Sequence, residues 1–381
     1  MRSQRLKHTR SETKGGVELS QKVLSAVAVG ERQTKLQEFE MPELSPEEGI
    51  LRVEIVGVCG TDVSYYRKSQ EPRILGHHIV GHIEKIGENA AKKWGVKEGD
   101  RVALEEYIPC GQCEHCRTGN YRACLFTDPR AGGIRYGATP DSLQPSLWGG
   151  FSQYMYLHPN SVVHRMADHV PAEEAALTLP LANGFEWMII EGKAQPGKVV
   201  VIQGPGQQGL ACALAAKAAG AEVIVTGRMT SLRRLELAKE LGVDHIINIH
   251  TEDLQTRIHE ITDGKMADIV LDVTSGGTAP ITSSLEIVKK GGMVILGAYK
   301  YQEIPNFNAD LIIQKMLTVK GVRGHSYQSV KMATEFIASQ TFPLNKMHSH
   351  NYGLHQVDEA LKTAGGEGEP SPLLVTVSPW S

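Results

Sequence analysis

Four of the six cysteines fall in one short segment, Cys110-Gly-Gln-Cys113-Glu-His-Cys116-Arg-Thr-Gly-Asn-Tyr-Arg-Ala-Cys124. Four thiolates at this spacing on one loop can close a tetrahedral Zn²⁺ shell with no position left for a substrate, so the segment is expected to hold a structural zinc. His115 would be a fifth donor and is read as a bystander. A second set is looser, Cys59-Gly60-Thr61-Asp62 with Gly76-His77-His78. A soft thiolate and an imidazole from neighbouring strand ends could hold a second zinc with an open coordination position. Taken singly, a cysteine at a strand end such as Cys59 is more often a small buried hydrophobe, and the set gains weight only together with the other motifs.

The third pattern is Gly204-Pro-Gly206-Gln207-Gln208-Gly209, which follows the apolar run Val199–Ile202 and opens a helical one. In a G-x-G-x-x-G turn the first glycine permits the tight bend, the second lets backbone approach a pyrophosphate, and the third lets the helix pack close to the strand. The free N–H groups and positive dipole end of that helix suit phosphate. Gly204, Gly206, Gln207, Gln208 and Gly209 are therefore candidate dinucleotide contacts. An NAD site usually carries an acid at the end of the next strand, for the ribose hydroxyls. This chain has Val225-Thr226-Gly227-Arg228 there, with no acid before Glu236. Gly227 leaves room and Arg228 can face a 2′-phosphate, with Ser231 and Arg233 as helpers, which favours NADP over NAD.

The elements that must position these groups differ along the chain. Leu51–Val58 alternates apolar and polar residues, as a half-buried strand does, and Val80–Ile86 and Arg101–Leu104 continue that texture. Segment 126–150 lacks periodicity and reads as a long loop. From about residue 198 to 321, strand-like runs alternate with helical ones. The predicted strands are Val199–Ile202, Val223–Thr226, Ile246–Asn248, Ile269–Val273, Met293–Gly297 and Leu317–Gly321. The predicted helices are Leu210–Ala219, Leu232–Leu241, Asp253–Thr262, Ile281–Lys289 and Asp310–Lys315. Six strands joined by helical crossovers specify a doubly wound parallel sheet, an α/β fold. The tail from 325 to 381 returns to mixed texture and is expected to pack back on the first unit.

Composition narrows the function. The 40 Lys+Arg against 43 Asp+Glu leave a net charge of −3, which does not suit a protein that tracks phosphate backbones, so no nucleic-acid partner is expected. Apolar residues make up 41%, enough for a large core, and no apolar run reaches bilayer length, so no membrane partner is expected. The arm 1–20 is basic, with no apolar segment after it, and reads as flexible rather than as a secretion signal. Clustered cysteines without such a signal favour metal over disulfides and a cytoplasmic setting.

With these motifs in place, the chain resembles the medium-chain dehydrogenase/reductases of the zinc-dependent alcohol, sorbitol and threonine dehydrogenase group. The resemblance runs from about residue 21 to the C-terminus. It rests on Cys59-Gly-Thr-Asp62, Gly76-His77, the four-cysteine lobe, the glycine-rich turn, and Ala267-Asp-Ile-Val-Leu-Asp272 followed by Gly291-Gly292. It implies a GroES-like β-rich catalytic domain over 21–169 and 325–381, with the zinc lobe at 105–126, and a Rossmann domain over 170–324. It further implies that Cys59 and His77 ligate catalytic zinc, that Thr61 passes the substrate's hydroxyl proton, and that Asp62 orients His77. Dimers or tetramers are common in the group.

Two departures stand out. The group's Gly-His-Glu triplet is Gly76-His77-His78 here, and its third ligand position falls on Leu179 or Ala182, neither of which binds metal. His78 or Glu186 is the expected substitute. The implied activity is reversible oxidation of a secondary alcohol to a carbonyl by hydride transfer to NAD(P), on a small alcohol or carbonyl substrate. The competing readings are an NADPH-dependent reductase of an activated C=C or C=O without catalytic zinc, and a non-catalytic nucleotide-binding protein on the same fold. The intact set Cys59, Thr61, Asp62 and His77 weighs against both. Trp148, Trp187, Tyr65 and Phe151 are candidates either for an apolar pocket or for core.

Overall fold

The computed structural model describes residues 21–381 apart from 70, 306, 369 and 370, so the basic arm lies outside the described residues. The N-terminal part is built on antiparallel strands: β1 (Lys22–Gly30), β2 (Gln33–Glu40), β3 (Gly49–Gly57), β4 (Arg73–Ile74), β5 (His78–Ile86), β6 (Arg101–Leu104), β7 (Tyr154–Leu157) and β8 (Val163–Arg165). In β3 the alternation seen in sequence becomes two faces. Leu51, Val53 and Ile55 are buried, while Arg52 and Glu54 between them are partly exposed, and Glu54 pairs with Arg101 at 2.7 Å. A period of two is what a sheet with one wet face requires.

The parallel unit follows as β9 (Val199–Gln203), β10 (Glu222–Gly227), β11 (His245–Asn248), β12 (Ala267–Asp272), β13 (Val288–Leu296) and β14 (Thr318–Gly321). Their order is β11-β10-β9-β12-β13-β14, and every pairing is parallel. The order reverses between β9 and β12, and in an open sheet ligands bind at such a switch point, beyond the strands' carboxyl ends. The glycine-rich turn leaves β9 there. The crossover helices Gln207–Ala218, Leu232–Glu240, Leu254–Ile261, Ala279–Ile287 and Asp310–Gln314 overlap all five predicted ones. Helix Gln207–Ala218 is buried from Gly209 through Ala216, because helix Thr178–Phe185 covers the side that the sheet does not.

The tail completes the first unit. The last two strands, β15 (His348–Gly353) and β16 (Leu374–Ser378), pair in parallel, and β16 lies antiparallel to β3. The larger sheet therefore runs β15-β16-β3-β5-β6-β8, with β7 also on β3. Among the described residues no helix is long and apolar enough to cross a membrane.

Candidate active site

Val58 links the end of β3 to Cys59, which caps helix Gly60–Lys68. Asp62, fully buried at the third helical position, gathers three donors around one carboxylate. Its Oδ2 accepts the Cys59 N–H at 2.9 Å; its Oδ1 accepts the Gly76 N–H at 3.1 Å and lies 3.0 Å from His77 Nδ1. A buried carboxylate at that nitrogen fixes the tautomer with Nδ1–H donating, so His77 Nε2 is left as a free lone pair. Burial alone would raise Asp62, but His77 and the Cys59 amide hold it below the usual carboxylate range.

Adjacent strand residues point to opposite faces, so two neighbouring histidines converge only where the backbone bends. Gly76 supplies the bend with φ +86°, a conformation that side chains strain to adopt, and Phe151 fills the space where its Cβ would be. The His77 and His78 rings then meet edge to face with centroids 4.6 Å apart. One donor atom each from Cys59, His77 and His78 lies within 4.8 Å of the other two. His78 Nδ1 is buried without a hydrogen-bond partner, as a nitrogen reserved for a metal would be. Burial would push the Cys59 thiol up, yet His78 and His77 together hold it well below its ordinary value, so a thiolate is favoured. Thiolate and imidazole are the donor set that zinc takes. Thr61 is exposed beside them, its Oγ1 3.8 Å from Cys59 Sγ.

The other substitute does not come to this set. Glu186 opens a π-helical turn, Glu186–Glu191, where it pairs with Arg122 at 2.6 Å and accepts from Ser326 Oγ at 2.6 Å. Leu179 and Ala182 are buried in apolar core. Trp148, Trp187 and Phe151 are core residues as well, and Tyr65 is partly buried beneath the Arg73 guanidinium at 4.9 Å.

In the lobe, Cys110, Cys113, Cys116 and Cys124 also place their sulfurs within 4.8 Å of one another, and His115 is not among them. The amides of Gln112 and Cys113 point at Cys110 Sγ and bring its thiol down to about 6. None of the six cysteines is in a disulfide.

At the glycine-rich turn, a Cβ on Gly209 would lie 1.9 Å from the Gly204 carbonyl oxygen, so helix and strand reach their spacing only with glycine. A Cβ on Gly206 would meet nothing within 4 Å, which leaves its backbone open to a ligand. Gln207 Nε2 is buried and unpartnered at the helix start. Three expected contacts are spent differently. Gln208 donates to the Pro180 carbonyl at 3.0 Å and accepts from Asn183 at 3.1 Å, tying the turn to the neighbouring helix. Arg233 lies 3.4 Å from Glu240 and 3.6 Å from Glu236, exposed acids on its own helix. The room beside Gly227 is filled by Pro205, 2.9 Å from where a Cβ would be. Arg228 is exposed at the end of β10, and Ser231 caps the helix that follows.

Sequence reasoning missed two groups. Lys300 is buried against Asp272 (2.8 Å) and the Thr274 hydroxyl (2.8 Å), beside the first glycine of the turn. The second lies just past β6, where Glu105 and Glu106 are both buried. Glu105 accepts from Tyr121 Oη at 2.8 Å and lies 2.7 Å from His164 Nε2. Glu106 accepts from Arg135 at 2.6 Å and faces His325, whose Nδ1 lies 3.1 Å from Asn183 Oδ1. Burial opposes charge on His325, but Glu106 and Glu105 beside it raise its pKa. The acidic pair ending an apolar strand was the available signal. Surface hollows of about 430 and 560 Å³ lie elsewhere, lined by residues such as Arg165 and Glu335 or Pro46 and Glu88, so the site is assigned on its chemistry rather than on cavity size.

Comparison with known proteins identifies the family. Residues 45–168 match the alcohol dehydrogenase GroES-like domain, and residues 209–339 match the zinc-binding dehydrogenase family. The chain is 34% identical over 358 residues to a Mycobacterium tuberculosis protein named "Probable alcohol dehydrogenase adh", covering 92% of this chain and 96% of that one. It is 32% identical over 352 residues to the sorbitol dehydrogenase of Bacillus subtilis, covering 90% and 94%. Among solved structures, an alcohol dehydrogenase from Thermotoga maritima superposes with a TM-score of 0.83 at 25% identity, covering 94% of this chain and 99% of that one.

Proposed function

This chain belongs to the zinc-dependent medium-chain dehydrogenase/reductases and is a zinc-type alcohol dehydrogenase with a nicotinamide cofactor; we propose that it oxidises a secondary alcohol to a ketone, using Cys59, His77 and His78 to hold the catalytic zinc and NADP as the hydride acceptor. A nicotinamide held at the glycine-rich turn would supply the hydride acceptor, so that alcohol and oxidised cofactor would become carbonyl, reduced cofactor and H⁺. The convergence of the three donor atoms within 4.8 Å carries the reading. Zinc bound there supplies Lewis acidity that brings the hydroxyl's proton loss toward neutral pH.

The chain's own residues do the rest. Asp62 holds the His77 ring so that Nε2 faces Cys59. Thr61, exposed at the start of the helix, takes the hydroxyl proton and passes it to solvent. Gly204, Gly206 and Gly209, with the N–H groups at Gln207 and Gln208, receive the pyrophosphate. Arg228, exposed at the end of β10, and Ser231 at the start of the next helix are the residues that would take a 2′-phosphate on the adenosine ribose. Residues 21–169 with 325–381 form the catalytic unit, and 170–324 the cofactor unit. The reduced cysteine lobe suits a cytoplasmic setting. Zinc content measured together with nicotinamide absorbance on a panel of alcohols tests the reading. A single zinc per chain, with full activity in a Cys59→Ser variant, would refute it.

His78 replaces an acid with a neutral donor, so this zinc is expected to be labile and its activity stimulated by added Zn²⁺. In His78→Ala, metal affinity should fall by more than the roughly 10–100-fold that loss of an outer-shell partner costs. Titration against a zinc chelator measures this, and unchanged affinity would exclude His78 as a ligand. Arg228→Asp should weaken NADPH binding by roughly 10- to 150-fold, because a hydrogen bond to a charged group is worth about 1.5–3 kcal/mol. NADH binding should move little. Equal dissociation constants for both cofactors in the unmodified protein would remove the basis for NADP.

A further inference from the structure

The two segments that leave β12 and β13 at their carboxyl ends are tied together by a buried charge. Lys300 Nζ donates to the Thr274 carbonyl at 2.6 Å and to the Thr274 hydroxyl at 2.8 Å, and it lies 2.8 Å from Asp272 Oδ2. An ammonium has three hydrogens, so all of them are taken. The Thr274 hydroxyl and N–H in turn donate to Asp272 Oδ1, at 2.7 and 2.9 Å. The side chains of Lys300 and Asp272 are 6% and 1% exposed. Gln302 adds a second tie, donating to the Gly276 carbonyl at 2.9 Å.

A buried ion pair is a weak stabiliser, because desolvation offsets much of its attraction, so this one calls for another role. Its place supplies one. A doubly wound sheet binds a dinucleotide as two mononucleotides, one on each side of the switch point. Arg228 at the end of β10 marks the adenosine side, which leaves the ends of β12 and β13 for the nicotinamide. Thr274 also walls the glycine-rich turn: a Cβ on Gly204 would lie 3.1 Å from its methyl group. Past Lys300 the second segment reaches the catalytic unit, where Lys68 Nζ lies 5.0 Å from the centre of the Tyr301 ring. Lys68 ends the helix that Cys59 caps. Lys300 thus pins a segment with the cofactor turn on one side and the helix of the metal-ligand set on the other.

Resting on the nicotinamide cofactor assigned above, we infer that Lys300 is a positioning residue for the nicotinamide half, acting through Thr274 and Asp272. With the two segments fastened in advance, the nicotinamide ribose and ring meet a preformed surface. Without the ammonium, the segments must be ordered as the cofactor binds, which lowers affinity.

Lys300→Met alone would strand the Asp272 charge in the core. The informative variant pairs it with Asp272→Asn, which keeps an acceptor for Thr274 and leaves no charge unpaired. Calorimetry gives the affinities for NADPH and for adenosine 2′,5′-bisphosphate, which lacks the nicotinamide half, and fluorescence gives the emission of bound NADPH. In the double variant NADPH should bind at least about tenfold more weakly, the fragment should stay within about twofold, and the change in nicotinamide emission on binding should shrink. If the unmodified protein binds NADH more tightly, NADH and adenosine 5′-monophosphate take the place of the two probes. Thr274→Val carries the same test if the double variant does not fold. Equal weakening of cofactor and fragment would make the role merely structural and overturn the inference, as would an unchanged affinity for NADPH. Failure of the unmodified protein to bind either cofactor would overturn the nicotinamide reading as well.

Discussion

His77→Ala should lower kcat/KM for alcohol oxidation by roughly 10³-fold or more and remove the zinc held with Cys59, leaving the lobe's zinc in place. Metal-ion polarisation contributes several kcal/mol of transition-state stabilisation, and about 4 kcal/mol corresponds to roughly 10³ in rate at 1.36 kcal/mol per tenfold. The effect reaches beyond one donor, because His77 also joins the metal set to Asp62, which in turn holds the Cys59 and Gly76 amides. Asp62→Asn therefore makes an informative companion. It keeps the shape but lets the amide NH₂ face His77 Nδ1, favouring the tautomer that places a proton on Nε2. A loss of roughly 10–100-fold in metal affinity is expected from that change. Zinc per chain and kcat/KM, measured on the same preparations, decide the matter. Unchanged activity in His77→Ala with metal still bound would refute the assignment.

The legible and the illegible parts of this site differ by the range of the interactions that make them. The six parallel strands were readable because each is a short, locally encoded apolar run. Predicted Val223–Thr226 is observed as Glu222–Gly227, and predicted Met293–Gly297 lies mostly within Val288–Leu296, the largest boundary error. The four lobe cysteines were readable because one loop carries all of them. His78 was a matter of backbone bend: its sequence neighbour could share a metal only if Gly76 left the extended region, which no local pattern reveals. The side chains of Gln208 and Arg233 have partners that the sequence pattern does not reveal: Gln208 donates to the Pro180 carbonyl and accepts from Asn183, and Arg233 pairs with Glu236 and Glu240. Glu186 was closer in sequence to the missing ligand than in effect, since an arginine from the lobe takes its carboxylate. The Glu106–His325 contact joins residues more than two hundred positions apart, and only the folded chain brings them together.

Cys113→Ser should lose the lobe's zinc and lower Tm by about 10 °C, with a smaller effect on kcat measured well below the transition. The binding energy of a closed thiolate shell is also folding energy, because the site does not exist in the unfolded chain. Taking a local loss of about 4 kcal/mol, and roughly 2–4 °C per kcal/mol for a chain longer than 150 residues, gives a shift of that order. The consequence should not stay inside the lobe. Arg122, two residues before the last zinc-binding cysteine, reaches Glu186 at 2.6 Å and Glu191 at 2.7 Å, and Glu191 also pairs with Lys320 at the end of the parallel sheet. Tyr121 beside it holds Glu105. Loss of the shell frees both residues, so proteolysis should begin within 105–126 and the contact with the π-helical turn should loosen next. Arg122→Met then separates the two effects: it should keep full zinc content yet reproduce part of the fall in Tm. Zinc analysis, a thermal melt and limited proteolysis on the two variants read this out. If Cys113→Ser keeps its zinc and melts with the unmodified protein, the lobe is not a metal-closed element.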